Sequence, residues 1–266
     1  MAKLQDMFTQ ARRAKSGGGL GFTGKNKPSV KPRTAALVVE FTSPDEAGAE
    51  AALKAGADGL LFRWDGSEST LEDLKKTIET AQASSENLAC GLDITGGWEK
   101  IERENFEQLK ELGVNYVILP LDAPARLLAL EVKDLELVVS VPMQEGEMYP
   151  LFIRNLTAFD SIAAVRLDFD LPDDIGTLSI HDILTYRAVR EAMRFPALLN
   201  VSSELTEADA YTLQTLGVQA LVLSASKSTD TTKEQTQKLR ELLEAVYHED
   251  KDTPSLGLTS NKGLRE

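Results

Sequence analysis

The chain has 266 residues, 42% of them hydrophobic and 27% charged, with a net charge of −13; this balance fits one large globular domain with a sizeable core. Its longest apolar runs, such as Ala35–Val39 and Ala220–Leu223, fall far short of the roughly 20 residues that span a bilayer. A single cysteine, Cys90, excludes an intrachain disulfide and a cysteine-built metal centre.

Residues 1–34 form an arm of opposite charge to the rest. Lys3, Arg12, Arg13, Lys15, Lys25, Lys27, Lys31 and Arg33 face only Asp6, so the arm carries +7 and the remainder −20. A body that acidic repels nucleic acid and anionic membranes, so no nucleic acid is expected on it, and a protein partner would engage the arm. Leu4, Met7, Phe8, Ala11 and Ala14 recur at helical spacing and predict a short amphipathic helix that plugs or straps the domain. Gly17, Gly18, Gly19, Gly21 and Gly24, then Pro28 and Pro32, predict a linker. The first residues show no apolar signal core or cleavage site, and a cytoplasmic protein is expected.

From residue 35 a short β-branched or apolar run alternates with a helical stretch, eight times over. The predicted strands are Ala35–Phe41, Gly59–Arg63, Leu88–Ile94, Val114–Leu119, Leu135–Val141, Ile162–Asp168, Ala197–Ser202 and Val218–Ser224. The predicted helices lie near 45–55, 69–83, 99–112, 123–131, 146–157, 180–194, 206–216 and 231–247. Helix starts read in Ser43-Pro44-Asp45-Glu46, Ser179-Ile180-His181-Asp182 and Thr206-Glu207-Ala208-Asp209, and stops at Gly56, Gly113 and Gly217. Eight strand–helix units with short returns predict a parallel sheet closed into a (β/α)8 TIM barrel over 35–247, preceded by the 1–34 arm and followed by a polar 248–266 tail.

Chemistry in such a barrel sits at the C-terminal ends of its strands. Side chains two apart share a face, so Glu40, Asp93, and Arg166 with Asp168 are expected to point into the mouth, as are Asn200 and Ser202. Charged groups aimed there are costly without partners. Glu40, Asp93 and Asp168 are therefore the candidate catalytic carboxylates, for general acid–base work or as oxygen ligands of a divalent cation such as Mg²⁺. Arg63 and Arg166 are candidates for binding an anionic substrate, with Asn200, Ser202, Ser226 and Lys227 as further contacts. Ion pairs between Arg63 and Glu40 or within Arg166–Asp168 are the structural alternative. Asp122 and Asp65 read as cap and turn residues. The only histidines, His181 and His248, lie outside the strand ends, and no lysine lies within a strand, which disfavours a His-rich metal site and a Schiff-base aldolase. The loop Phe169–Ser179 is a candidate lid.

Ala55-Gly56-Ala57-Asp58-Gly59 before an apolar strand resembles the βα unit of many phosphate- and flavin-binding barrels. Gly18-Gly19-Leu20-Gly21-Phe22 resembles a glycine-rich loop of the nitronate monooxygenase family, which implies FMN and oxidoreductase chemistry. In that family the loop follows the first strand and helix, whereas here it precedes all eight units, and glycine-rich loops after strands 7 and 8 are missing. The residues favour a small-molecule enzyme, of lyase or isomerase type, acting on a small anionic metabolite. The alternatives are a barrel without catalysis serving as a structural or adaptor subunit through its arm, and a flavin barrel.

Overall fold

Strand alternation dictates which side chains fill the barrel and which meet the helices. The computed structural model describes residues 3–13, 33–67, 70–85, 88–144, 146–169, 171–172, 174–202 and 204–252. Eight parallel strands, β1 (Ala36–Phe41), β2 (Gly59–Trp64), β3 (Ala89–Ile94), β4 (Tyr116–Pro120), β5 (Glu136–Pro142), β6 (Ile162–Asp168), β7 (Ala197–Val201) and β8 (Ala220–Ser224), pair in sequence order and close β8 onto β1. Glu40 accordingly lies beside Leu61 on one side and Ser224 on the other. Around them run α2 (Glu46–Lys54), α3 (Leu71–Ser84), α4 (Arg103–Glu111), α5 (Tyr149–Ile153), α6 (Ile180–Met193), α7 (Glu207–Leu216) and α8 (Thr229–Asp252). No helix among the described residues is long and apolar enough to cross a membrane.

One face of each strand fills the interior. Val38, Leu61, Tyr116, Ile118, Val138, Leu198 and Val222 form a single buried cluster there, a packed core of the kind that leaves a barrel no pore. Tyr116 is the largest fully buried side chain. It fits because its strand neighbour is Gly91; a Cβ at Gly91 would collide with the Tyr116 ring. The opposite faces, including Phe62, Leu92 and Val117, pack in the outer cluster with Ile78 of α3 and Phe106 of α4.

The amphipathic pattern at the start of the chain becomes α1 (Lys3–Arg13). Its Leu4, Met7, Phe8 and Ala11 belong to the interior cluster. The Leu4 amide donates to Glu136 Oε2 (3.2 Å) and the Gln5 side chain to the Ala163 carbonyl (3.0 Å). Both acceptors lie at the N-terminal ends of β5 and β6, so α1 covers the base of the barrel. The glycine- and lysine-rich stretch 14–32, with the Gly18–Phe22 loop, lies outside the described residues, as does 253–266.

Local chemistry explains the helix ends. Ser179 with Asp182, and Thr206 with Asp209, form reciprocal capping boxes on α6 and α7. Gly217 closes α7 with φ 73°, the left-handed conformation that glycine adopts without a Cβ penalty. Two predicted helices are shorter than their patterns. In place of a helix over 123–131 stands a 3-10 turn, Ala125–Ala129. Pro124 precedes it, and Arg126 is drawn off to donate to the carbonyls of Trp98 (3.0 Å), Glu99 (2.8 Å) and Ile101 (2.5 Å). The helix predicted over 146–157 is α5 followed by a 3-10 turn, Arg154–Ala158. Asn155 and Thr157 there donate to the carbonyls of Phe152 and Arg154, the local bonding by which such residues compete with regular helix.

Candidate active site at the barrel mouth

The upper ends of β1, β2, β3, β6 and β7 bring five polar side chains into one network. Glu40 is 1% exposed and is held from two sides. Arg63 donates through Nε to Oε1 (3.3 Å) and through Nη2 to Oε2 (3.1 Å). Arg166, also buried, pairs through Nη2 with Glu40 Oε1 (3.0 Å). It also donates through Nη1 to Asp93 Oδ2 (2.7 Å) and through Nε to Asn200 Oδ1 (3.2 Å). Ser224 reaches Glu40 Oε2 at 3.5 Å. The alternation rule thus places Glu40, Asp93, Arg166 and Asn200 together, and the Arg63–Glu40 pair forms as the structural alternative allowed. Arg166 pairs with Glu40 and Asp93 across the mouth instead of with Asp168 on its own strand.

Asp168 ends β6 and is exposed; its carbonyl accepts from the Met143 amide (3.1 Å), and its carboxylate has no hydrogen bond or ion pair among the described residues. Its charge nevertheless acts on Arg63. Counted over Glu40, Asp93, Asp168, Arg63 and Arg166, three carboxylates stand with two guanidiniums, one negative charge in excess. The consequences differ by residue. Burial pushes the Asp93 carboxyl above the usual carboxylate range, opposed by Arg166 and reinforced by Glu40. Arg63 is pushed up by its hydrogen bonds to Glu40 and by that carboxylate's charge.

Arg63 is 43% exposed. It borders a cavity of about 390 Å³ lined also by Thr42, Ser43, Asp65, Thr70 and Thr95. Because Nε and Nη2 are committed to Glu40, its Nη1 is the guanidinium nitrogen left for a ligand. A smaller cavity, about 110 Å³, adjoins Asn200 and the exposed Ser202 under Phe169 and Ile175.

Other expectations fare differently. Among the described residues no group of three His, Cys, Asp or Glu side chains is arranged to hold a metal ion. Glu40 is held by Arg63 and Arg166 and Asp93 by Arg166, while Asp168 stands apart from that network. Ser226 is turned away from the mouth, its hydroxyl donating to Gln235 Oε1 (2.7 Å) and its amide to Thr232 Oγ1 (3.0 Å), which ties the chain to α8. Lys227 is exposed beside it. Cys90 is fully buried with its thiol pushed up to about 12 by burial, and belongs to the outer core. Two points of the candidate lid are anchored: Phe169 packs on Tyr186 with ring centroids 5.0 Å apart, and the Gly176 amide donates to Asp209 Oδ1 (2.6 Å).

Sequence reasoning passed over Tyr116. Its hydroxyl is buried without a hydrogen-bond partner among the described residues, and it feels the charges of Arg166, Glu40 and Asp93. Its period-2 relation to Ile118 would have placed it inside the barrel; what the strand pattern does not reveal is that Gly91 on the adjacent strand makes room for it.

No family model matches the sequence, and no curated protein matches it. Solved structures do. Phosphoribosyl anthranilate isomerase from Thermus thermophilus is 16% identical, over 77% of this chain and 99% of that one, with a TM-score of 0.54. The YdjI aldolase from Escherichia coli K12 is 15% identical, over 79% and 92%, with a TM-score of 0.55. Tryptophan synthase from M. tuberculosis is 13% identical, over 92% and 99%, with a TM-score of 0.61. At such identity the likeness is one of fold: this chain shares the TIM barrel of isomerases, aldolases and a synthase.

Proposed function

We propose that the chain is a small-molecule enzyme of lyase or isomerase type, acting on a small anionic metabolite at the barrel mouth. The observation that carries this reading is the unbalanced charge there: three carboxylates around two arginines, with the Asp93 carboxyl raised and Asp168 unpaired. A carboxyl raised by burial holds its proton more readily than a free one, the direction that acid–base work needs, and the exposed Asp168 carboxylate, whose charge acts on Arg63, can serve as its counterpart. In this reading Asp93 and Asp168 are the acid–base pair. Glu40, buried and doubly paired, positions Arg63 and Arg166. Arg63 holds the anionic group of the metabolite from the side of the hydroxyl-lined cavity, with Asn200 and Ser202 on the opposite wall. The activities of the structural neighbours, an isomerase and an aldolase, are compatible with this class of chemistry.

The test is a thermal-shift survey of small phosphorylated and carboxylated metabolites, followed by turnover of any that bind, monitored by NMR. Asp168→Asn is expected to abolish turnover while leaving the unfolding temperature nearly unchanged. Turnover that survives this substitution would remove Asp168 from the mechanism. A second reading, a barrel without catalysis, is favoured by the internal pairing of Glu40 and Asp93; it predicts that no small anion shifts the unfolding temperature.

A further inference from the structure

A further cavity shares no lining residue with the Glu40–Arg166 network. It is a groove of about 800 Å³ between α5 and α6, running from Met143 and Gln144 just after β5 past Pro150 to Leu184 and Val189, with Glu147, His181 and Asp182 also in its lining. Beside it stand five large apolar side chains, Met148, Leu151, Phe152, Ile180 and Leu184, each between 55% and 81% exposed. Their spacing makes one surface. Met148, which caps α5, and Leu151 and Phe152 on it follow i, i+3, i+4, Ile180 and Leu184 follow i, i+4 along α6, and the two helices are in contact. The apolar surface left against water here is on the order of several hundred Å², the range of a monomer's largest patch. That approaches the roughly 800 Å² per partner of a standard protein interface.

We propose that this face is the two-fold interface of a homodimer, with Phe152 of each copy seated in the groove between α5 and α6 of the other. Knob and groove lie on the same face of one molecule, which is the self-complementarity an isologous contact needs in order to close. The stretch Met148–Ile153 carries no charge. The basic arm is a poor fit to the groove, because between residues 14 and 32 its only large apolar side chains are Leu20, Phe22 and Val30. Two copies of a chain with net charge −13 repel each other, so apolar burial must supply the association.

Sedimentation velocity of the full chain at low micromolar concentration tests this. A dimer is expected, and it should tighten as NaCl is raised from about 0.05 to 0.5 M, because salt screens the mutual repulsion. Phe152→Glu is expected to weaken dimerisation at least about 30-fold, as loss of a central aromatic anchor does. Ile180→Lys, at the most exposed of the five positions, should act in the same direction with unchanged circular dichroism and unfolding temperature. A monomeric wild type overturns the proposal. So does a dimer indifferent to both substitutions, or one that salt dissociates, which would point to the basic arm clasping an acidic neighbour.

Discussion

At the base of the barrel, Asp58 accepts from the Leu37 backbone amide (2.8 Å) while it pairs with Arg33 and, at 3.8 Å, with Arg240. Arg240 in turn donates to the Gly56 carbonyl (2.7 Å) and to Glu244 (2.6 Å). At the mouth, every hydrogen bond made by the side chains of Glu40, Asp93 and Arg166 among the described residues goes to another side chain. Both ends thus hold buried arginine–carboxylate networks, but one is sewn into the backbone and the other is not. A charge tied to the backbone fixes strand ends and turns. A charge tied only to other side chains can exchange partners when a ligand arrives. Ion pairing alone therefore says little about role; what the paired groups are anchored to says more.

The largest effect should come from the base. Asp58→Ala removes the acceptor of the Leu37 amide and strands the buried Arg33, whose guanidinium is already lowered to about 10, chiefly by burial. Leaving a buried charge without its partner costs about 3–5 kcal/mol. In a chain of this length that is a fall of about 10 °C in unfolding temperature, with binding of any small anion at the mouth unaltered. Calorimetry with and without ligand checks both halves; weakened ligand binding in the folded variant would erase the contrast between the two ends.

A smaller effect, with a particular sign, is expected from Asp93. Its folded-state carboxyl is raised, with burial the largest cause. Above the ordinary carboxylate range the folded chain therefore binds more protons than the unfolded one. The stability Asp93 contributes is full below the ordinary value and is lost as pH climbs through the raised one. This is the reverse of the usual acid-side behaviour of a paired carboxylate. Subtracting the stability-against-pH curve of Asp93→Asn from that of the wild type should leave this downward step. The subtraction also removes the contribution of Glu136, which is raised by burial under α1. A flat or rising difference would mean that Arg166 outweighs burial at Asp93.

The eight strands were legible because a closed parallel barrel demands continuous apolar runs, and nothing else in the chain imitates them. Glu40, Asp93, Arg166 and Asn200 were legible for the same reason, since a period of two turns a strand assignment into a direction for each side chain. Partner choice was not. Arg166 and Asp168 are neighbours in sequence and on one face, yet Arg166 reaches across the mouth to β1 and β3, because closure brings those strands within the reach of a guanidinium. Ser226 looked like a mouth residue because it follows β8; the Thr232 hydroxyl, six residues on, captures its amide, and spacing in sequence does not announce that turn. The groove on α5 and α6 was hidden in a helix predicted too long, since a full helix over 146–157 would not have set Phe152 and Leu151 at the end of a short, exposed turn.

The smallest change in stability should follow from Arg63→Met, and it sharpens the comparison most. Arg63 is more than a third exposed, and pairs of that kind contribute at most about 1 kcal/mol. Glu40 keeps its bond to Arg166, so no buried carboxylate is left alone. The unfolding temperature should therefore move by no more than about 4 °C. If the mouth takes anions through the uncommitted Nη1, the same substitution abolishes the ligand-induced rise in unfolding temperature. Arg63→Lys should restore charge but not the fork that grips Glu40 while presenting a free nitrogen, and so should recover little of that rise. Full recovery with lysine would mean that the mouth reads only charge. An undiminished rise in Arg63→Met would move the anion to the Asn200–Ser202 side, and would leave Arg63 a structural partner of Glu40, as Arg240 is of Asp58 at the other end.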